Sequence, residues 1–161
     1  MLVSEQLGKV DHSSLRVNQA VIILALLAAF IFDLPWLAAA VALIMLVGTG
    51  IGRPGFFFVY TGLLRPTGIV KQHVLADNPE PHRFAQGFGG VVAAVSSALL
   101  FLGASAASWA LVWLVIVLAA LNLFVGFCAG CAVYYWLNRM QVPGFLKEPP
   151  TETFPGMRPR S

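Results

Sequence analysis

Not one Asp, Glu, Lys or Arg occurs from Phe84 to Asn138, a run of 55 residues. Two shorter runs share the property, Val17–Phe32 with 16 residues and Leu34–Gly52 with 19. A water-facing domain carries about 25% charged residues because its surface must be hydrated. Here 11% are charged and 58% are hydrophobic, too little polar material to cover a globule of 161 residues. Stretches of about 20 mostly apolar residues are what a helix needs to cross a bilayer. Soluble enzymes and nucleic-acid-binding modules are therefore excluded, and membrane lipid is the expected surrounding.

At about 1.5 Å per residue the long run would make a helix of roughly 80 Å, against a hydrocarbon core of about 30 Å. It must fold back. Gly103-Ala104-Ser105-Ala106-Ala107-Ser108 is the natural break, with Trp109 as a headgroup anchor. That predicts helices over 84–102 and 109–137. The first two runs meet at Phe32-Asp33-Leu34-Pro35-Trp36, where proline suits a first helical turn and Asp33 is placed to cap it. Helices over 17–32 and 35–52 follow. The expectation is an all-α, polytopic membrane protein with four transmembrane helices in the span 17–138.

The basic residues set the orientation. Lys9 and Arg16 precede the first helix, Arg53, Arg65, Lys71 and Arg83 lie between the second and third, and Arg139, Lys147, Arg158 and Arg160 follow the fourth. Neither hairpin tip holds one. Cytoplasmic loops carry the Lys and Arg excess, so both termini and the central loop are expected in the cytoplasm of a plasma membrane. The net charge of +3 then reads as an orientation signal and a match for anionic lipid, not as a nucleic-acid footprint. The Ala38-Ala39-Ala40 stretch superficially resembles a signal-peptide cleavage site, but Met1–Arg16 contains Glu5 and Asp11 and makes a poor basic leader.

The loop 53–83 begins with Pro54–Leu64, an apolar stretch between Arg53 and Arg65 that is too short to span. It is expected to be interfacial or re-entrant between helices two and three. Two roles are open for this loop: a lipid-facing bracket that sets the depth of the bundle, or a docking surface for a cytoplasmic partner through Arg65, Lys71, His73, His82 and Arg83. The segment 139–161 holds Pro143, Pro149, Pro150, Pro155 and Pro159 and is expected to be extended and mobile unless a partner orders it.

Asn122, Gly126 and Gly130 recur at every fourth position of the fourth helix. Small residues let helix backbones approach in lipid, so this stripe is expected to be the main packing seam, with Asn122 bonding across it. Cys128 and Cys131 are the only cysteines. On a continuous helix they lie about 14 and 9 Å inside its end, on the cytoplasmic half. Two thiols three residues apart can approach disulfide distance, and Cys-x-x-Cys is the spacing of thiol–disulfide exchange sites. Against activation, a pair past the middle of an apolar helix lacks the helix N-terminus or nearby cation that favours a thiolate. The competing reading is two small buried hydrophobes.

No ionisable group lies within the helices, which argues against a pump or charge-coupled transporter. His12, His73 and His82 read as solvated interface residues. A zinc site takes about four ligands, and two cysteines with His73 or His82 fall short unless the loop folds onto them. No metal and no cofactor are therefore expected, nor any stand-alone enzymatic activity.

The chain resembles a bacterial family of small integral membrane proteins, domain of unknown function 4395, over about 10–144. The resemblance rests on Val10-Asp11-His12 and Arg16-Val17-Asn18-Gln19, on Pro79-Glu80-Pro81-His82-Arg83-Phe84-Ala85-Gln86-Gly87, and on Phe127-Cys128-Ala129-Gly130-Cys131. It implies thioredoxin-like or rhodanese-like partners and thiol or sulfur traffic centred on Cys128 and Cys131. Two functions thus stand side by side. One is a thiol or sulfur relay with a cytoplasmic partner. The other is a non-catalytic subunit or membrane anchor of a larger membrane complex.

Overall fold

The computed structural model describes residues 7–150 and 152–159. Residues 1–6, 151, 160 and 161 lie outside the described residues, and with them the beginning of the N-terminal segment and Arg160.

Helix α1 (His12–Ile31) starts where the Asp11 carboxylate accepts the Ser13 N–H at 3.0 Å. It turns at Phe32–Leu34 into α2 (Pro35–Ile51), with proline in the first turn, where a missing N–H costs nothing. Asp33 does not cap α2 as expected. It takes up φ 50° within the turn, and Leu34 stands at the N-cap position with no side-chain hydrogen bond. A second hairpin joins α4 (Pro79–Phe101) to α5 (Ser105–Ala120), which runs on through a π-helical turn, Leu121–Val125. The Trp36 and Phe101 rings lie 4.6 Å apart, so the two hairpin tips sit together.

Among the described residues, three helical segments are long and apolar enough to cross a membrane: His12–Ile31, Pro79–Phe101 and Ser105–Val125. Helix α2, with 17 residues, is shorter. Their outer faces expose Leu24, Ile31, Leu43, Val47, Val91, Leu114 and Val117. An apolar surface this extensive is rare on soluble monomers, and the chain is compatible with a multi-pass membrane protein.

Two expectations need correction. The chain is mostly helical rather than all-α, because β1 (Gly8–Asp11) pairs antiparallel with β2 (Val74–Asp77), Gly8 opposite Asp77 and Asp11 opposite Val74. The alternating exposed and buried residues of β2 make it a half-buried strand. Nor is the fourth helix continuous. It stops at Gly126, whose φ of 76° needs glycine, passes through extended Cys128, and restarts as α6 (Ala129–Arg139). Asn122, Gly126 and Gly130 therefore do not form one stripe.

Close helix approach occurs elsewhere. A Cβ on Gly87 would stand 2.9 Å from Thr49 Cγ2, one on Gly90 3.0 Å from Leu46 Cδ2, and one on Gly130 2.5 Å from Ala85 Cβ. These contacts set α4 against α2 and α6. The main apolar core joins Ile22, Leu26, Val41 and Met45 to Val112 and Ile116.

The segment after Arg53 does insert. Its short helix α3 (Phe57–Val59) and π-helical turn Tyr60–Leu64 follow Phe56, which is buried in the core. The Gly55 N–H donates to Gln86 Oε1 at 3.1 Å and the Phe56 N–H to Asn18 Oδ1 at 2.9 Å. Gln86 Nε2 donates in turn to the Met45 and Arg53 carbonyls at 3.0 and 3.1 Å. Irregular backbone inside a bundle is tolerated only when such groups are satisfied.

Gly130→Val is expected to lower stability by about 1–3 kcal/mol through overpacking against Ala85. Gly50→Ala, with open space around the new Cβ, should gain about 0.5–1 kcal/mol from helix propensity. Thermal unfolding in detergent checks both, and equal effects of the two substitutions would contradict the packing described.

Candidate functional site

Helices α1, α4 and α6 all begin at one place. His12 opens α1, Asp77 and Asn78 precede α4, and Cys128 is the N-cap of α6. The partial positive charge of three helix N-termini therefore falls on a small polar cluster and favours anionic groups there.

Asp77 is the anion. Its Oδ2 lies 2.8 Å from His82 Nε2 and 3.1 Å from His12 Nε2, and its Oδ1 accepts the Asn78 N–H at 2.8 Å. The His12 contact is close but misaligned for a hydrogen bond, and among the described residues His12 Nε2 has no hydrogen-bond partner. Burial alone would raise the Asp77 carboxyl. The contacts from the His12 and His82 rings and the Asn78 N–H outweigh burial and hold it well below the usual carboxylate range.

Sulfur adjoins this pair. Cys128 and Cys131 are joined as a disulfide, with Cα atoms 5.2 Å apart. The Cys131 N–H donates to Cys128 Sγ at 3.2 Å, and Cys131 Sγ lies 3.4 Å from His82 Nδ1. With Nε2–H donating to Asp77, Nδ1 presents its lone pair to the sulfur. The line Asp77–His82–Cys131 thus has the form of an orienting acid, a base and a sulfur, here in its disulfide form. Relative exposures of 2% for His12, 3% for Asp77, 5% for Cys128 and 3% for Cys131 put the cluster out of solvent.

The C-terminal segment covers it. Cys128 N–H donates to the Gly156 carbonyl at 2.7 Å, Arg158 N–H to the Gly126 carbonyl at 2.9 Å, and Phe127 pairs with Met157. Arg158 Nη2 reaches the Asn122 carbonyl at 3.2 Å. These bonds satisfy the backbone groups freed where the fourth helix breaks. A Cβ on Gly156 would come within 2.8 Å of the Cys128 carbonyl, so the segment lies tightly on the cysteines. Phe145 packs on Phe84 and Tyr134, and the Glu148 carbonyl accepts from Asn78 Nδ2 at 2.7 Å. The tail expected to be mobile is folded back onto the bundle.

The structure brings Cys128, Cys131 and His82 together with His12 and Asp77. His12, expected to be a solvated interface residue, is instead buried in the cluster, and Asp77 is a member that the sequence does not single out. His12 closes the motif Val10-Asp11-His12, and Asp77 lies two residues before Pro79-Glu80-Pro81-His82. The cysteines also differ from expectation, since the break carries them to the start of a new helix. Arg65, Lys71 and His73 are exposed, although the His73 carbonyl accepts the His12 N–H at 2.9 Å and the Lys71 carbonyl accepts from Ser13 Oγ at 2.7 Å. Arg83 turns instead to the end of α2, its Nε 2.6 Å from the Thr49 carbonyl. Beside His82 opens a groove of about 200 Å³ lined also by Lys9, Arg53, Phe57 and Arg83.

Comparison with known proteins gives one result. The family model of a domain of unknown function (DUF4395) matches residues 10–139, and the chain belongs to that family. No curated protein and no solved structure matches it.

Asp77→Asn leaves two histidines beside a neutral amide and is expected to cost about 3 kcal/mol or more. Because the Asp77 carboxyl is depressed in the folded state, its contribution is complete above about pH 4 and is lost as pH falls below that. Acid unfolding of the wild type should therefore have a limb between about pH 4 and 2 that Asp77→Asn lacks. The same acid midpoint in both proteins would contradict this account.

Proposed function

We propose that this is a four-pass plasma-membrane protein whose Cys128–Cys131 disulfide exchanges with the thiols of a cytoplasmic thioredoxin-like or rhodanese-like partner. Helix α2, at roughly 25 Å, is the fourth crossing, and α1, α2, α4 and α5 alternate between the two ends of the bundle. Paired tips at one end, with the charged loop, β-ribbon and tail at the other, support this. The positive-inside rule then assigns the polar end to the cytoplasm.

The observation that carries the reading is the 3.4 Å approach of His82 Nδ1 to Cys131 Sγ, with Asp77 behind the ring. A partner thiolate attacks Cys128 Sγ, and the Cys128–Cys131 bond breaks as the intermolecular disulfide forms. Cys131 leaves as a thiolate, and a proton taken up from solvent at His82 Nδ1 passes from there to its sulfur. A second partner thiol then resolves the mixed disulfide and leaves Cys128 as a thiolate, favoured by the N-terminus of α6 and the Cys131 N–H. In the reverse direction His82 removes the proton of Cys131, which attacks as the resolving nucleophile. Basic residues around the adjoining groove suit an acidic docking surface on the partner.

A second reading is favoured by the burial of both sulfurs under the tail. The disulfide would then be a staple within a non-catalytic subunit of a larger membrane complex. Trapping separates the two readings. Cys131→Ser, whose Cys128 is a free thiol, should accumulate a mixed disulfide on Cys128 when given the oxidised, disulfide form of a dithiol protein, while Cys128→Ser should not. His82→Gln should slow exchange by about 10²–10⁴. A disulfide that resists dithiols in the folded protein, with no trapped species, would leave the staple reading.

The tail gives an independent check. Gly156→Val forces the segment off Cys128 and should speed disulfide reduction several-fold, followed by alkylation and mass spectrometry. An unchanged rate would mean that the tail does not gate the site.

A further inference from the structure

The ring nitrogen that faces Cys131 raises a question that exchange does not answer: what the cluster holds once its sulfurs are reduced. Cys128 Sγ, Cys131 Sγ and His82 Nδ1 all lie within 4.8 Å of one another. Tetrahedral zinc, with bonds of about 2.3 Å to sulfur and 2.0–2.1 Å to nitrogen, sets its sulfur and nitrogen ligands about 3.5 Å apart. Cys131 Sγ and His82 Nδ1 already stand at 3.4 Å. Two thiolates on zinc lie about 3.8 Å apart, a small outward movement once the sulfur–sulfur bond is cut.

We infer that the reduced protein binds a thiophilic divalent cation, Zn²⁺, through Cys128 Sγ, Cys131 Sγ and His82 Nδ1, so that the site alternates between a disulfide and a metal centre. The inference rests on the proposed reducibility of this disulfide.

Three features beyond the spacing support it. The Nε2 of His82 is 2.8 Å from Asp77 Oδ2. A metal-bound histidine usually donates its other N–H to a carboxylate, which fixes the ring and raises its basicity. A cavity of about 10 Å³ adjoins the two cysteines and His82, close to the room one water needs as a fourth ligand. His12 Nε2, buried and without a hydrogen-bond partner among the described residues, borders the same cavity. It offers such a water an acceptor or a donor.

His12, Asp77 and His82 also cluster within 4.8 Å, but a metal there would have to take the Nε2 that already serves Asp77. The sulfur set keeps that bond. Soft thiolates also select zinc over magnesium or calcium.

The chemistry balances. Reduction by a dithiol or a phosphine delivers two electrons and two protons and yields two thiols. Zn²⁺ then displaces both thiol protons to solvent and accepts the Nδ1 lone pair. A metal that holds both thiolates competes with oxidation, so bound zinc keeps the pair reduced.

The test uses the full chain in detergent micelles, reduced with a phosphine and freed of it. Thiols are counted by maleimide mass shift, and Zn²⁺ is titrated against a chromophoric chelator. The expected result is one Zn²⁺ per reduced chain and none on the oxidised chain. Co²⁺ in place of zinc should add a thiolate-to-metal charge-transfer band in the wild type, a readout that needs no variant. Asp77→Asn should weaken binding by about 10–100-fold, and the double replacement Cys128→Ser with Cys131→Ser should abolish it. Two free thiols with no zinc uptake above that double variant would overturn the inference and leave exchange intact. A folded chain that yields no thiols would overturn both.

Discussion

The convergence of three helix N-termini on one carboxylate organises the polar end of this bundle. Unpaired N–H groups at the starts of α1, α4 and α6 need acceptors, and water is scarce among packed apolar helices. Asp77, the disulfide sulfur at the α6 N-cap and the Asp11 carboxylate at α1 supply them. Asp77 in turn needs donor neighbours, which His82 and the Asn78 N–H provide, with the His12 ring close beside it. Removing any one member leaves another buried polar group uncompensated, although the cluster draws its members from three separate stretches of chain.

That arrangement requires the fourth apolar stretch to break. A continuous helix would carry Cys128 and Cys131 away from its end, on a face shared with Phe124 and Tyr135. Glycine at 126 permits the left-handed turn, and the tail supplies the hydrogen bonds that the broken helix gives up. The residues that close the site are thus the same ones that make it possible. The β1–β2 ribbon contributes by tying the beginning of α1 to the loop before α4, which draws His12 and Asp77 together across more than sixty residues of sequence.

Much of the helical layout was legible in the sequence. Charge-free runs marked the apolar helices, and Pro35 and Gly103 marked the turns near where they fall. Asn18 and Gln86 stood within the motifs that carry the family resemblance, though their task of holding the segment after Arg53 appears only in three dimensions. The break at Gly126–Cys128 was hidden because its neighbours are all apolar, and an apolar periodicity says nothing about a turn whose hydrogen bonds come from Gly156 and Arg158, thirty residues on. Asp77 and His12 were missed for a related reason. Each sits beside a helix start, where a polar residue is ordinarily a cap in water, and only pairing of β1 with β2 removes them from it. The cysteine pair was visible, but its surroundings were misjudged as long as the helix was taken to be unbroken.

The proposed function places an exchangeable sulfur pair at the cytoplasmic end of the bundle. The most direct measurement applies a membrane-impermeant phosphine followed by a membrane-impermeant maleimide to sealed vesicles of each orientation. Inside-out vesicles should take two maleimides on Cys128 and Cys131, and right-side-out vesicles none. Labelling from the outer face, or labelling only after denaturation, would contradict it.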